Sequence, residues 1–292
     1  MPSNRFMKQV PLHGRRAYLT RTDKLVARSA FATGGEASPN SNRGGTIVVA
    51  GSGDTVALFE DFLGNDTGGL LNGWNRVNAD ADTGATGSVT RVAAAVGGVA
   101  RVSFAGSTFS TPNFSIGLTK GLMRHWKANS GNLRFAARVK LPSLGSVNAF
   151  IGFSDSGGSE MPAYDTGTNA AAGFLSNMTD GIGFMYSNLG SVTTWRGVTT
   201  KTDVDQSIAG TSAQSPTANV YDVLEIELSE DSGQRAHFFV NGQQLGTTGY
   251  IADPLNAATG LVPGIWVFGV DSGTIQVDAD WIAVSSNRDT GT

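Results

Sequence analysis

Between residues 133 and 141 the chain reads Leu-Arg-Phe-Ala-Ala-Arg-Val-Lys-Leu, and its two sets of positions alternate without a break. Leu133, Phe135, Ala137, Val139 and Leu141 fall on one side of an extended segment. Arg134, Ala136, Arg138 and Lys140 fall on the other. Period two over nine residues describes an antiparallel strand with one buried and one solvated face, and Pro142 closes it. A helix cannot bury this pattern, because its apolar positions must recur every 3.6 residues. Further short extended segments are read at residues 46–50, 149–153, 181–186, 192–198, 223–228, 235–240, 243–245, 265–270 and 275–284. Asn241-Gly242, between two of them, is the strongest short hairpin signal, since both residues tolerate positive φ. The one helical candidate, residues 118–127, lacks a long apolar stripe.

Composition supports strands joined by turns. Charged residues make up 15% of the chain, against about 25% in an ordinary domain. Glycine, at 39 of 292 residues, is roughly twice its usual share. Many short strands with glycine-rich turns predict an all-β fold, a two-sheet antiparallel jelly-roll sandwich. No apolar run approaches the roughly 18 residues of a membrane span, so no membrane partner is expected. The first residues lack the apolar stretch of a secretory signal. With no cysteine and only His13, His125 and His237, thiol chemistry, a zinc centre and a histidine-based triad are not expected, nor is any cofactor.

Charge divides the chain. Residues 1–28 hold seven basic residues against Asp23 alone, a net +6. The whole chain carries −3, which leaves −9 on residues 29–292. Spaced apolar residues accompany the basic ones, as expected of an arm that docks on a partner rather than a purely solvating tail. Arg5, Phe6, Lys8, Leu12, Arg15, Arg16, Tyr18 and Arg21 are the candidate partner-binding residues. With Phe6 and Tyr18 as its only aromatics and no Arg-Gly-Gly pattern, the arm gives little support to nucleic-acid binding. Residues 33–45 are small, polar and turn-forming, the composition of a flexible connector. The expected organisation is an extended basic arm and linker over 1–45, then a sandwich over 46–292.

Several segments resemble concanavalin A-like sandwiches, the group of laminin-G-type, legume-lectin-type and laminarinase-type domains. They are Phe59-Glu-Asp-Phe62 with Gly73-Trp74, the strand at 133–141, Tyr221-Asp-Val-Leu-Glu-Ile-Glu with the Asn241-Gly242 hairpin, and Asp278-Ala-Asp-Trp-Ile-Ala-Val284. The resemblance implies that the first and last strands lie side by side. In style, a sandwich preceded by an arm also resembles virion structural proteins of tailed bacteriophages. That implies a capsid decoration or appendage protein in the virion, assembled in the host cytoplasm. It would be present in many copies or as a homo-oligomer, and its partner would be the major capsid protein or another virion protein. The same fold supports a lectin-like module for host or surface glycans, and a glycosidase is a third class.

The sharpest catalytic candidate is Glu225-Ile-Glu-Leu-Ser-Glu230, similar to the laminarinase motif Glu-Ile-Asp-x-x-Glu. In that motif the first Glu is nucleophile and the last is general acid. A retaining glycosidase needs two carboxyls about 5–5.5 Å apart. Here the central Asp is Glu227, Glu230 stands directly before a turn at 231–233, and the stretch falls late in the chain. The expectation is a polar outer strand face and no catalytic residue. Ser154-Asp-Ser-Gly-Gly158 and Gly51-Ser-Gly53 read as turns. Asn78-Ala-Asp-Ala-Asp82 alternates oxygen ligands but lacks the distal Glu of a calcium loop, so no metal is expected. Trp266 and Trp281 are expected in the core, whereas Trp126 and Trp195 are candidates for exposed sugar-stacking surfaces.

Overall fold

Extended backbone accounts for nearly all regular structure. The structure, a computed structural model, describes residues 8–12, 15–19, 47–50, 55–62, 74–78, 86–92, 98–106, 115–119, 126–145, 147–156, 161–165, 174–189, 193–229, 234–246, 249–269 and 273–287. The strands begin with Lys8–Leu12 (β1), Arg15–Leu19 (β2), Ile47–Ala50 (β3), Thr55–Glu60 (β4), Asn75–Asn78 (β5), Thr86–Arg91 (β6) and Ala100–Gly106 (β7). Next come Ser115–Thr119 (β8), Arg134–Lys140 (β9), Val147–Ser154 (β10), Ala163–Tyr164 (β11), Leu175–Ser176 (β12), Asp180–Ser187 (β13) and Arg196–Lys201 (β14). The last are Val204–Ala209 (β15), Tyr221–Ser229 (β16), Arg235–Val240 (β17), Gln243–Gln244 (β18), Ile251–Ala252 (β19), Val262–Gly269 (β20) and Gly273–Asn287 (β21).

Two antiparallel sheets carry the fold, as the jelly-roll reading expects. One has seven strands in the order β15-β14-β13-β10-β20-β8-β5. The other has ten: β18-β17-β16-β9-β21-β4-β3 in line, β7 beside β21, β6 on β7, and β19 on β17. β4 pairs with β21, so an early and a late strand do lie side by side. Between the sheets, Phe135, Val139, Leu224, Ile226 and Ile282 meet Ile151, Phe153, Ile182, Phe184 and Ile265. The ring of Phe184 meets Phe238 edge-on at 5.4 Å between centroids. Gly197 lies flat beneath Phe238, where an added Cβ would stand 2.5 Å from the ring. Only glycine lets the sheets approach so closely there.

The turns follow from residue chemistry. Asn241 and Gly242 have φ of 52° and 78°, and they connect β17 to β18 as the sequence predicts. The Asn241 side chain accepts from Val223 N at 2.8 Å and donates to Asp222 Oδ1 at 2.9 Å, which ties the turn to β16. A second two-residue turn, Thr202-Asp203, has φ of 48° and 62° and joins β14 to β15. A β-branched residue at positive φ is strained.

β21 carries a bulge between Ala279 and Trp281. Ile275, Val277 and Ala279 keep period two, then Ile282 and Val284 resume it three residues on. The inserted residue lets both halves point inward to the same core.

The seven-stranded sheet departs from the half-wet pattern. β10 and β13 are buried at every position, and so are the described residues of β20 up to Phe268. A second cluster, remote from the inter-sheet core, explains why. Met161, Ala163, Tyr164, Phe174 and Met178, all between β10 and β13 in the chain, lie on Phe150, Met185, Val198, Trp266 and Phe268. Uncovering the four large residues of that segment would cost about 6–12 kcal/mol at roughly 1.5–3 kcal/mol each.

Three sequence expectations are corrected. Leu118 and Thr119 belong to β8 and Trp126 makes an isolated bridge with Leu261, so the described part of 118–127 is extended rather than helical. The strand expected at 192–198 begins only at Arg196 and runs to Lys201. Trp195 instead bonds through its backbone to Gln214 and Gly210, and its indole donates to Asp222 at 2.9 Å. Trp126 and Trp195 are accordingly buried rather than exposed, while Trp281 is half-buried on the outer face, stacked on Phe59.

Candidate functional site

Charged chemistry concentrates on the outer face of the ten-stranded sheet. Register places Arg101 of β7 opposite Asp278 of β21, Asp278 opposite Lys140 of β9, and Lys140 opposite Tyr221 of β16. These four residues form one row across four strands. Arg101 donates from Nε and Nη2 to the two oxygens of Asp278, at 2.6 and 2.8 Å. Lys140 Nζ lies 3.2 Å from Oδ2 of the same carboxylate. The bulge sets Asp280 beside the row, where it accepts from Arg138 Nη1. Tyr221 completes the cluster, with the Arg138 guanidinium 4.2 Å and the Lys140 ammonium 5.0 Å from its ring centroid.

Electrostatics explains how two carboxylates can be buried on an outer face. Asp278 is 0% exposed and Asp280 3%, yet each touches a cation whose stem shields it. The hydrogen bond to Asp278 raises the pKa of Arg101. The Tyr221 phenol is raised above its ordinary value by burial, then by Asp278 and Asp280. With its oxygens taken up by Arg101 and Lys140, Asp278 is held as a charge partner rather than as a nucleophile or proton donor.

Glu225 and Glu227 share the outward, half-buried face of β16, as the alternation predicts. Glu227 stands opposite Arg134 and His237, and its Oε1 lies 4.0 Å from Arg134 Nη1. Glu225 stands opposite Ala136 and Phe239. Glu230, the third member of the candidate motif, lies outside the described residues. Further along the same face, Gln244 Nε2 and His237 Nδ1 are 2.9 Å apart. The Arg235 guanidinium sits 4.6 Å from the centroid of Tyr250.

Elsewhere the polar groups are structural. Asp155 follows β10 directly, and burial raises its carboxyl against the opposing pull of backbone hydrogen bonds, that of Asp180 foremost. Asp180 itself accepts from Asn256 N and Thr259 Oγ1. Arg196, buried beside the second cluster, is lowered by burial against the opposing pull of Asp165. Asn148 holds Asp165 through two backbone bonds of 2.9 and 3.0 Å. A cavity of about 210 Å³ is lined by Ala128, Asn129, Leu228, Ser229 and Gln234. No group of three or more His, Cys, Asp or Glu among the described residues is arranged to hold a metal ion. Asn78 ends β5, and residues 79–82 of the calcium-like loop lie outside the described residues.

The arm contains a hairpin. Lys8 and Leu12 fall in β1, and Arg15, Arg16 and Tyr18 in β2. Leu12 stands opposite Arg15, and Gln9 opposite Tyr18. Strand alternation therefore sets Leu12 and Tyr18 on opposite faces, which the residue list alone does not reveal. Arg5, Phe6 and Arg21 lie outside the described residues. The signals that sequence reasoning missed are the segment covering the seven-stranded sheet and the Asp278–Asp280 cluster. The first left only unbroken apolar runs as its trace, and the second is set by the register of strands far apart in the chain.

No protein-family model and no curated protein matches the chain. Solved structures do match in fold. The chain is similar to a non-specific endo-β-1,3(4)-glucanase, with TM-score 0.50 and 14% identity over 84% of this chain and 96% of that one. An endo-β-1,4-glucuronan lyase from the fungus Trichoderma reesei gives TM-score 0.48 and 10% identity, covering 79% and 98%. A Bacillus licheniformis β-glucanase gives 0.45 and 15%, covering 80% and 98%. At 14% identity the likeness to the endo-β-1,3(4)-glucanase bears on architecture alone, a jelly-roll sandwich.

Proposed function

We propose that this chain is a non-enzymatic structural protein of a tailed-bacteriophage virion. In this reading it is a capsid decoration or appendage protein, held on the particle by its N-terminal arm. The observation that carries the reading is the division of charge and fold. A +6 segment over residues 1–28 contains a hairpin that pairs with no other described strand, and residues 29–292 carry −9. Opposite charge on arm and partner speeds and orients docking. The two other surfaces support it. The second face of the seven-stranded sheet is sealed by the chain's own residues, and the carboxylates of the outer face sit in ion pairs or on a half-buried strand face.

Mass spectrometry of purified particles tests the reading directly, and the chain is expected among the virion proteins. Deletion of residues 1–40 should leave a folded sandwich that no longer co-sediments with particles lacking the native protein. Equal co-sedimentation of both forms would place the contact on the sandwich instead. Glu225→Gln should leave any measurable role unchanged; loss of a β-glucan-cleaving activity in that variant would make the chain a glycosidase.

A second reading, a lectin-like glycan-binding module, is favoured by the Arg235, His237, Gln244 and Tyr250 cluster. It combines an aromatic ring with several hydrogen-bonding groups, the mixture that sugar recognition uses. A glycan array with wild type and Tyr250→Ala discriminates it: binding lost in the variant supports this reading, and no binding by wild type removes it.

A further inference from the structure

Where β16 ends and β17 begins, the outer sheet face holds a guanidinium that meets no anion. Arg235 stands in no ion pair among the described residues, because the described acids closest to it in register are engaged, Glu227 with Arg134 and Asp253 with Lys201. Its guanidinium lies over the Tyr250 ring, 4.6 Å from the centroid, which pins it while leaving its N–H groups to donate. Gln244 donates through Nε2 to the carbonyl of Gly249, and the same nitrogen lies 2.9 Å from His237 Nδ1. Nδ1 is therefore the acceptor, and the imidazole proton sits on Nε2 as a second donor. The cavity described above adjoins these donors. Ser229 stands opposite Arg235, Gln234 precedes it, and both line that space of about 210 Å³. Its described lining carries no charge, and Gln234 Oε1 is buried without a hydrogen-bond partner among the described residues. Such an acceptor is costly until a donor reaches it.

We propose that this corner binds a uronic acid residue of an acidic polysaccharide, with Arg235 on its carboxylate and Gln234 on a ring hydroxyl. The inference rests on the lectin-like reading and names the class of sugar that such a module would take. The ligand's groups match those of the site. A carboxylate answers the unpaired fork of Arg235, whose parallel N–H groups fit two oxygens. A hydroxyl can donate to Gln234 Oε1, and another can accept from His237 Nε2. The uncharged cavity admits hydroxyls but penalises a second charge, which sets a sugar acid apart from an acidic peptide. A neutral sugar would leave Arg235 without its anion. Glu227, opposite His237, does not repel the carboxylate strongly, since Arg134 offsets it from 4.0 Å away.

Calorimetric titration of the full-length protein tests this with oligomers of galacturonate, glucuronate and mannuronate, each beside its carboxyl-reduced counterpart, and with a polyglutamate peptide. At least one uronate oligomer is expected to bind, and its reduced form and the peptide should bind weaker by about tenfold or more. Arg235→Met should bring the uronate down to the level of its reduced form. Arg235→Lys should not restore it, because a point charge cannot make the two-pronged contact. Gln234→Leu should weaken the uronate but leave its salt dependence unchanged, since the lost contact carries no charge. Thermal melts confirm that each variant is folded. Equal binding of acid and reduced forms, both lost in Tyr250→Ala, would leave the lectin-like reading standing and make the acidic class wrong. Peptide binding as tight as that of the uronate would make the corner a general anion surface and overturn the sugar. No binding of any uronate by wild type overturns the proposal, and a glycan array without binding removes the lectin-like reading with it.

Discussion

Replacing Asp278 by alanine removes a carboxylate that three nitrogens contact, at 2.6, 2.8 and 3.2 Å. The vacated position leaves Arg101 and Lys140 facing each other across β21, with no anion between them. Breaking a buried ion pair from one side typically costs about 3–5 kcal/mol. The side chains of Arg101 and Lys140 are 29% and 20% exposed, so both cations can turn partly toward water. The lower end of the range, about 3 kcal/mol, is the expected loss. For a domain of this size it should lower Tm by about 6–12 °C. Asp278→Asn keeps the shape but not the charge and should fall between the two. Arg101→Met combined with Asp278→Leu should recover part of the loss, because only Lys140, whose side chain is 20% exposed, then lacks its carboxylate partner. Added salt should stabilise Asp278→Ala more than wild type, since it screens the exposed cation pair. Urea unfolding followed by circular dichroism measures all four proteins. If Asp278→Ala lies within about 0.5 kcal/mol of wild type, the ordinary range of surface changes, the cluster holds nothing together and the argument from burial fails.

Three further outcomes are expected. Asn241→Ala loses a residue suited to φ of 52° and the side-chain bonds to Val223 and Asp222, so urea unfolding should show a loss of about 2–3 kcal/mol. Thr202→Asn relieves a β-branched residue at φ of 48° and should raise stability by about 1 kcal/mol in the same assay; a decrease would mean that the turn is not strained. The phenols of Tyr186 and Tyr221 are raised by burial, so the unfolded chain ionises them first, near pH 10. Their contribution is complete below that pH and is lost as pH rises through their folded values. Thermal melts from pH 9 upward should show the decline, and it should be shallower in Tyr221→Phe.

The elements legible in the sequence are those whose burial is one-sided. At 133–141 and 221–229 every second residue enters the core, and the strands follow the alternation. The Asn241-Gly242 turn was equally plain because its two residues are chosen by backbone angle rather than by distant contacts. Segments buried on both sides are harder to place. Residues 181–186 give no alternation to count, and nothing local announces that Met161, Phe174 and Met178 will cover them. Trp195 shows a different limit: its indole is aimed at Asp222, 27 residues away, so a tryptophan beside polar neighbours reads as exposed although it is 0% accessible. For the candidate site, the shared face of Glu225 and Glu227 could be read from spacing. The opposition of Asp278 to Arg101 could not, because 177 residues separate them and only sheet register joins them.

β21 has a consequence for how the protein is made. It is the seam of its sheet, bonded along one side to β9 and along the other to β7 and β4 in succession. All three partners are synthesised before it. Until residues 273–287 leave the ribosome, β9 lacks one neighbour and β4 and β7 have no common strand to align on. The arm, by contrast, precedes the body in the chain and can close its local hairpin before β21 is made. Each nascent chain therefore displays its arm before its body has a finished sheet, and the body must wait for a strand whose partners lie up to more than 200 residues upstream, a topology that folds slowly. Premature termination before β21 would yield chains with an arm and no sandwich.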